Sequence, residues 1–396
     1  MKTMKRRVRK FVQNDVLINA WHNFFIRFNR KKEFRKFRDP RRVEIFSKVE
    51  LSDEQKKAID ALFLDNYGEK VPHTWHRHFA AFTGNFDARY FPELLYIPEF
   101  EYFMNMNRGL SKLLNDKNFL ALVAAGVGVR TPKCYLTACE GAYRDSNNRL
   151  ISRDEALKQT SNLGEVFAKP TKDTCSGQGC LVAEFENGVD KLSKRTAAEI
   201  LDNLGSNFAI QERLVCHESI RNIYAGSVNT FRVITYRWRD KIYATPTIMR
   251  IGQGGGYLDN AHAGGMFIAV NEDGTLHSTA FTEFKKEFKT HPDSGLKFDG
   301  YRIDLFPKAL AAAFKMHEAI PQLGSCNWDF TLDEDGEPLL IEANTLGGGI
   351  WVVQMAHGCG PFGENTAEIL RWLRMMKKAR HSKRLKCQFG CFPNNP

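Results

Sequence analysis

The segment NWDFTLDEDGEPLLIEAN, residues 327–344, constrains the chain most tightly. Two extended runs flank Asp335-Gly336, a dipeptide that tolerates positive φ and is a strong hairpin signal. With that dipeptide at the loop centre, Asp329 faces Glu342 across the ladder. Asn344 lies two residues further along the same strand and shares their face, because side chains alternate with a period of two. Trp328, Phe330, Leu332, Leu339 and Ile341 remain available for packing. Two facing carboxylates repel unless a positive charge stands between them, and hard oxygen donors suit magnesium better than a soft metal. The alternative is a polar, solvent-facing side of an ordinary hairpin, since the convergence depends on register.

A second segment, FAKPTKDTCSGQGCLVAEF, reads as a strand ending in Lys169-Pro170, a small-residue loop and another strand. Ser176, Gly177 and Gly179 have little side chain to keep backbone N–H groups away from a phosphate. Lys169 would add a point charge to the same anion. The pattern GxxxxGK[ST] is absent, so this is no P-loop, and a plain hairpin turn fits the segment equally well. IQERLV is a short apolar strand interrupted by Gln211 and Glu212. SVNTFRVITY, PTIMRIG and LDNAHAGG set Asn229, Arg232, Arg250 and Asn260 among strands and glycines. Arginines beside a phosphate would neutralise charge that develops in transfer, although each alone is more often a structural ion-pair residue. His217, His262 and His291 are candidates for proton transfer, set against a hydrogen-bonded structural role for each.

Around these segments the chain has room for two or three structural units in its 396 residues. Residues 43–116 read as mainly helical, with Ser52 as an N-cap. NDKNFLALVAAGV reads as a helix ending at Gly126, and LISRDEALKQTSNLG as one capped by Ser152 and closed by Gly164. EVFAKP, GCLVAEF, FAIQERLV, TFRVITYRW, KIYATPTIMRIG and GGMFIAV then follow as short strands, whose spacing implies antiparallel pairing. A helix near residues 305–320, the hairpin, and a last helix near 364–376 complete the core.

Nine scattered cysteines without paired CxxC elements read as free thiols. With no apolar run long enough to cross a bilayer and no secretory leader, residence in the cytosol is the expectation. The net charge of +11 gathers in Lys2 to Arg42 and Lys377 to Lys386. Nucleic acid, an acidic glycan, a lipid pyrophosphate or the inner face of an anionic membrane would satisfy such blocks, as would water around a solvated helix and tail. Phe11, Val12, Val16, Leu17, Trp21, Phe24, Phe25 and Phe28 recur at roughly helical spacing, so an amphipathic helix could dock on the body or lie on a membrane.

The order of these elements, with SVNTFRVITY, LDNAHAGG, HPDSG and the WDF…IEAN pair, resembles the sugar-transfer associated branch of the ATP-grasp superfamily over about residues 115–373. The resemblance implies an α+β fold in which two antiparallel-sheet lobes clamp ATP under a Gly-rich lid. It divides the chain into a basic, mainly helical region (1–114), an N-terminal lobe (115–215), a C-terminal lobe (216–376) and a basic tail (377–396). It implies that Lys117 and Lys169 contact phosphate or adenine and that residues 174–179 form the lid. Gln211, Glu212, Arg213 and Leu214 become the adenine hinge, and Glu218 a ribose contact. Asp329, Glu342 and Asn344 match the superfamily's magnesium ligands, while Arg232, Arg250 and Asn260 stabilise the transferring phosphoryl group. The loop TCSGQGC is less glycine-rich than in many members, which puts lid mobility in doubt. The activity implied is a carboxylate–amine ligase acting through an acyl phosphate in surface polysaccharide assembly, on small-molecule or glycan-linked substrates, with an anionic or lipid-linked intermediate near the basic termini. A kinase acting on a hydroxyl, or a non-catalytic glycan- or nucleic-acid-binding protein on the same scaffold, are the alternatives.

Overall fold

The computed structural model describes residues 15–171 and 178–390. Its first sheet contains β1 (Cys134–Cys139), β2 (Ala142–Asp145), β3 (Leu150–Ile151), β4 (Gly164–Pro170), β5 (Leu181–Glu186), β6 (Val189–Asp190) and β7 (Phe208–Glu212), in the order β3-β2-β1-β7-β4-β5-β6. The second contains β8 (Thr230–Trp238), β9 (Lys241–Ala244), β10 (Thr247–Ile251), β11 (Met266–Val270), β12 (Ala280–Phe281), β13 (Glu287–Phe288), β14 (Ser325–Leu332) and β15 (Pro338–Asn344). Its order is β13-β12-β11-β10-β8-β14-β15, with β9 paired to β8. Every strand pairing in both sheets is antiparallel, as the α+β reading expects.

Alternation along β8 explains how the second sheet is covered. Phe231 and Val233 point into a core shared with the helix Phe306–Glu318. Ile234, Tyr236 and Trp238 point the other way, under a layer of helices. That layer holds α1 (Asp15–Lys36), α2 (Pro40–Ser47), α3 (Asp53–Asn66), α4 (Thr74–Thr83) and the run Glu93–Leu95, Tyr96–Glu101 and Tyr102–Met104, in which the middle piece is π-helical. Ser52 and Gln55 form the capping box that starts α3. At the other end of the same β8 face stand Thr230 and Arg232, too polar to lie under that apolar layer. The sheet therefore has one apolar face and one face divided between core and charge.

Several expectations change. The helix Lys117–Val127 runs past Gly126 to the cap at Gly128, and it packs on β15 and the second core, not within the first lobe. The helix capped by Ser152 covers Arg153–Thr160, and Gly164 opens β4 instead of closing that helix. KIYATPTIMRIG forms two strands, because Pro246 between them has no N–H to offer a ladder. The described helices between residues 15 and 104 share one core with the second sheet. Residues 377–390 are packed as well: the helix Thr366–Lys378 extends through residue 377, a further helix spans His381–Lys386, and Arg384 is fully buried, donating from Nε to Met376 O at 2.7 Å. The amphipathic helix docks on the body with one face and leaves the other exposed. Phe25 packs on Tyr102 and Ile26 is buried, while Leu17, Trp21, Phe24 and Phe28 face outward. Phe11 and Val12 lie outside the described residues.

Candidate active site

Register assembles the charged end of the second sheet. Arg232 on β8 lies opposite Asp329 on β14 and grips it bidentately, Nε to Oδ1 at 2.6 Å and Nη2 to Oδ2 at 2.9 Å. Arg250 on β10 reaches the same Oδ2 with Nη2 at 3.1 Å and donates to Asn260 Oδ1 at 2.8 Å and Thr230 Oγ1 at 2.7 Å. The Thr230 hydroxyl donates onward to Asp259 Oδ2 at 2.5 Å. The Asp329 side chain is 1% exposed, so its charge depends on these two arginines. Burial works against the Arg232 guanidinium, but the charge and hydrogen bonds of Asp329 together with the charges of Glu342 and Asp259 outweigh it and raise the pKa. Burial also pushes the Asp259 carboxyl up, against the pull of Arg250.

Glu342 faces Asp329 across the hairpin yet takes a different partner, Lys117 Nζ, at 3.0 Å. Its side chain is 31% exposed, so of the two facing carboxylates it is the one solvent can reach. Burial drives its pKa up and Lys117, with Arg250 and Arg232, draws it below the ordinary carboxylate range. Lys117 is the first residue of a helix capped by Asp116, whose side chain accepts from the N–H groups of Asn118 and Phe119.

The first sheet supplies Lys169 from β4. It is buried, and its pKa falls to about 8 because of burial and the neighbouring charge of Lys117, with Glu342 opposing. Lysines from two different parts of the chain thus share one cleft. Among the described residues, Arg232, Arg250, Lys117 and Lys169 stand there against Asp329, Glu342 and Asp259, a surplus of positive charge. Across the cleft, Tyr257 from the loop between β10 and β11 donates its hydroxyl to Cys180 O at 3.2 Å, next to the start of β5.

The glycine-rich turn after β15 is held by the helical layer. Gly347 N and Gly348 N donate to the two oxygens of Glu101 at 2.5 and 3.1 Å, and Ile350 N donates to Glu93 Oε1 at 2.7 Å. Asn105 donates to Ser325 O and Thr345 O at 2.8 and 2.6 Å and accepts from Gly324 N and Ser325 N at 3.1 Å each. A Cβ on Gly348 would stand 2.6 Å from Asn327 Nδ2, so only glycine lets the turn lie this close to β14. Burial pushes Glu93 up to about 8 and Glu101 up to about 7. At the rim, Arg42 of α2 pairs with Glu283 at 2.7 Å, Glu283 with His262 Nδ1 at 2.7 Å, and the His262 ring lies 5.5 Å from that of Trp351.

Asp329, Glu342, Arg232, Arg250, Asn260, Lys117 and Lys169 therefore gather in one region. Asn344 shares the face of Glu342 and lies opposite Asn327. The hairpin reaches this register by a different route from the one its turn dipeptide suggests. The loop is centred on Asp335, which pairs Leu332 with Pro338 and Phe330 with Leu340, and a bulge between Asp329 and Phe330 restores the opposition of Asp329 to Glu342. Gln211 lies on β7 opposite Phe167, and the Glu212 carboxylate accepts from Lys133 N at 2.7 Å. Arg213 and Leu214 follow as an irregular link, because β7 stops at Glu212. Glu218 is not brought to the charge cluster: it is exposed on the short helix Glu218–Arg221, bordering a cavity with Glu334 of the hairpin turn. Ser176 and Gly177 lie outside the described residues. Gly179 has φ 75° and packs bare against Pro170, where a Cβ would come within 2.9 Å. His291 is fully buried on Gly252 O, and His217 caps the helix Glu218–Arg221, so both are structural. Asn229 is structural too, joining Tyr224 O to Gly252 N.

Sequence reasoning missed Asp259, Thr230 and Asn327. Alternation could have found the last two, each two residues from a chosen position on the same strand face. Nothing local marked Glu93, Glu101 or Asn105.

For magnesium the donor chemistry fits: Asp329, Glu342 and Asn344 offer oxygen on one strand face with no sulfur among them. Among the described residues no group of three or more His, Cys, Asp or Glu gathers as a metal cluster, so the amide is a necessary member of this set. Asp329 already holds two arginines, and it would serve a metal through remaining lone pairs on its oxygens.

A family model described as sugar-transfer associated ATP-grasp matches residues 98–368. A search of curated proteins found no match. Among solved structures, N5-carboxyaminoimidazole synthetase from Staphylococcus aureus complexed with ADP is 12% identical, covers 60% of this chain and 46% of its own, and has a TM-score of 0.35. D-alanine–D-alanine ligase from Bacillus anthracis is 13% identical over 70% of this chain and 64% of its own, with a TM-score of 0.33. VanG D-Ala:D-Ser ligase from Enterococcus faecalis is 13% identical over 66% and 61%, with a TM-score of 0.38. The chain spans about half the length of the first of these.

Proposed function

The chain belongs to the sugar-transfer associated ATP-grasp family, and we propose that it is an ATP- and magnesium-dependent carboxylate–amine ligase acting through an acyl phosphate. The observation that carries this reading is the surplus of positive charge among the described residues, four cations against three carboxylates, at the cleft between the sheets. Such a cleft suits a polyphosphate, and phosphoryl transfer depends on positioning and charge neutralisation more than on a covalent nucleophile.

Lys117 and Lys169 hold the phosphates, and the backbone of residues 211–214 receives the adenine, with Glu218 as the candidate ribose contact. Arg232 and Arg250, fixed by Asp329, and Asn260, fixed by Arg250, orient the acceptor and meet charge on the transferring group. An acceptor carboxylate oxygen attacks the γ-phosphorus, and the bond to the bridging oxygen breaks with its electron pair leaving on ADP. An amine then attacks the acyl carbon, phosphate departs, and the nitrogen gives up a proton. Magnesium held by Asp329, Glu342 and Asn344 would supply charge neutralisation on the phosphate oxygens. The family description, sugar-transfer associated, supports a sugar-linked acceptor.

A kinase reading has one specific support. His262, half exposed and fixed through Nδ1 by Glu283, would leave Nε2 free to take a hydroxyl proton. Incubation with ATP, magnesium and candidate sugar acids in hydroxylamine separates the two. A hydroxamate is expected, and a stable phosphoester formed without any amine overturns the ligase reading. Unchanged turnover in Glu342→Ala would remove that residue from the site.

A further inference from the structure

Helix α1 presents an outward face that neither the fold nor the proposed chemistry uses. Leu17, Trp21, Phe24 and Phe28 follow one another at three- and four-residue steps and are 39%, 65%, 62% and 59% exposed. Their rings form a continuous ridge, with centroids 6.1 Å apart for Trp21–Phe24 and 6.4 Å for Phe24–Phe28. At 1.5 Å per residue the ridge is about 16 Å long. The same face continues into cations: Arg27, Lys31, Lys32, Arg35 and Arg38 are exposed, and Lys31, Phe34, Arg35 and Arg38 line a shallow cavity of about 350 Å³. Between Leu17 and Arg38 the only acidic residue is Glu33, which is buried and paired with Lys36. The inward face is committed to the body: Ile26 is buried, Phe25 lies against Tyr102, and Arg30 reaches Glu99 at 3.3 Å.

We infer that this face docks on an anionic phospholipid surface, with Trp21, Phe24 and Phe28 entering the headgroup–acyl boundary and Lys31, Arg35 and Arg38 receiving lipid phosphate. Aromatic and aliphatic residues along one stripe beside a basic patch are what an interfacial helix needs. A second copy is a poor occupant, because it would bring the same exposed cations face to face. Nucleic acid is a poor one too: the stripe is convex, includes Leu17, which cannot stack on a base, and places most of its cations beyond the rings instead of between them. The inward face of α1 packs on the run that carries Glu93 and Glu101 to the glycine turn. Docking therefore fixes the attitude of the cleft to the membrane. The inference is independent of which reaction the cleft performs.

The test uses the full chain with unilamellar vesicles of phosphatidylglycerol and phosphatidylcholine, against phosphatidylcholine alone. Co-sedimentation with the anionic vesicles is expected, weakening with salt, and falling about tenfold or more in Trp21→Ser/Phe24→Ser/Phe28→Ser and again in Lys31→Glu/Arg35→Glu/Arg38→Glu. All six side chains are exposed, so melting temperatures should match the parent. Trp75, Trp238, Trp328 and Trp372 are at most 2% exposed and Trp351 is half-buried, so quenching by brominated acyl chains should come mainly from Trp21 and drop sharply in Trp21→Phe. No binding at low salt, equal binding to neutral vesicles, or unchanged binding in both triple variants overturns the inference. So does a dimer that the aromatic variant disperses, or an RNA that displaces the protein from vesicles.

Discussion

On the second sheet each carboxylate of the site has a partner: Asp329 lies between Arg232 and Arg250, and Glu342 carries Lys117. On the first sheet Lys169 comes to the same cleft beside another cation, and burial lowers its pKa. The sheets also differ in support. The second is covered by two large cores, whereas the first rests on a smaller one rich in alanine, with Ala138, Ala156, Ala168, Ala183 and Ala197 among its members. The contrast teaches a division of labour. Charges of the second sheet hold the fold as well as the site, while the buried charge of the first stands beside a like charge with Glu342 as its counterweight.

Removing Arg232 should show the largest effect. Arg232→Met strips the bidentate partner from a fully buried carboxylate and should lower urea-unfolding stability by about 3 kcal/mol. An unfolding midpoint equal to the parent's would break the comparison on the side of the second sheet. Lys169→Met should do the reverse, leaving stability equal or higher and weakening a nonhydrolysable ATP analogue by about 2 kcal/mol in calorimetry. A large loss of stability in that variant would break the other side.

The helical clamp on the second sheet sharpens the point through pH. Glu93 has its pKa raised to about 8, so the folded state favours its neutral form. Stability from this group is complete below the ordinary carboxylate value and is lost as pH rises through about 8. Glu93→Gln should melt like the parent near pH 5 and be more stable by about 1.5 kcal/mol near pH 8.5, as read by thermal unfolding. The smallest expected effect concerns Lys169 again. Its charge fades as pH passes about 8, so analogue affinity should fall about tenfold between pH 7 and pH 9, and Lys169→Met should flatten that slope.

Much of this was legible before any coordinates. The facing of Asp329 and Glu342 follows from a turn dipeptide and strand alternation, although the actual loop and its bulge show that a right pairing can rest on two compensating offsets. The capping boxes at Ser52 and Ser152 were equally local, since a hydroxyl and a side chain three residues on decide them. Helix ends were less legible: Gly126 and Gly128 both look like caps, and only packing selected Gly128.

What the sequence by itself determined is what short-range geometry controls: the hairpin, the strand alternation, the caps and the arginines on the polar face. What only the tertiary structure decided is which distant groups meet. Lys117 reaches Glu342 because its helix packs on β15 and not with the first sheet. Glu93, Glu101 and Asn105 look like surface residues of a helix until the fold buries them against the glycine turn. An aromatic helix becomes half core and half exposed ridge for the same reason. Burial and pairing between remote segments depend on where whole elements come to rest, and no local pattern carries that information.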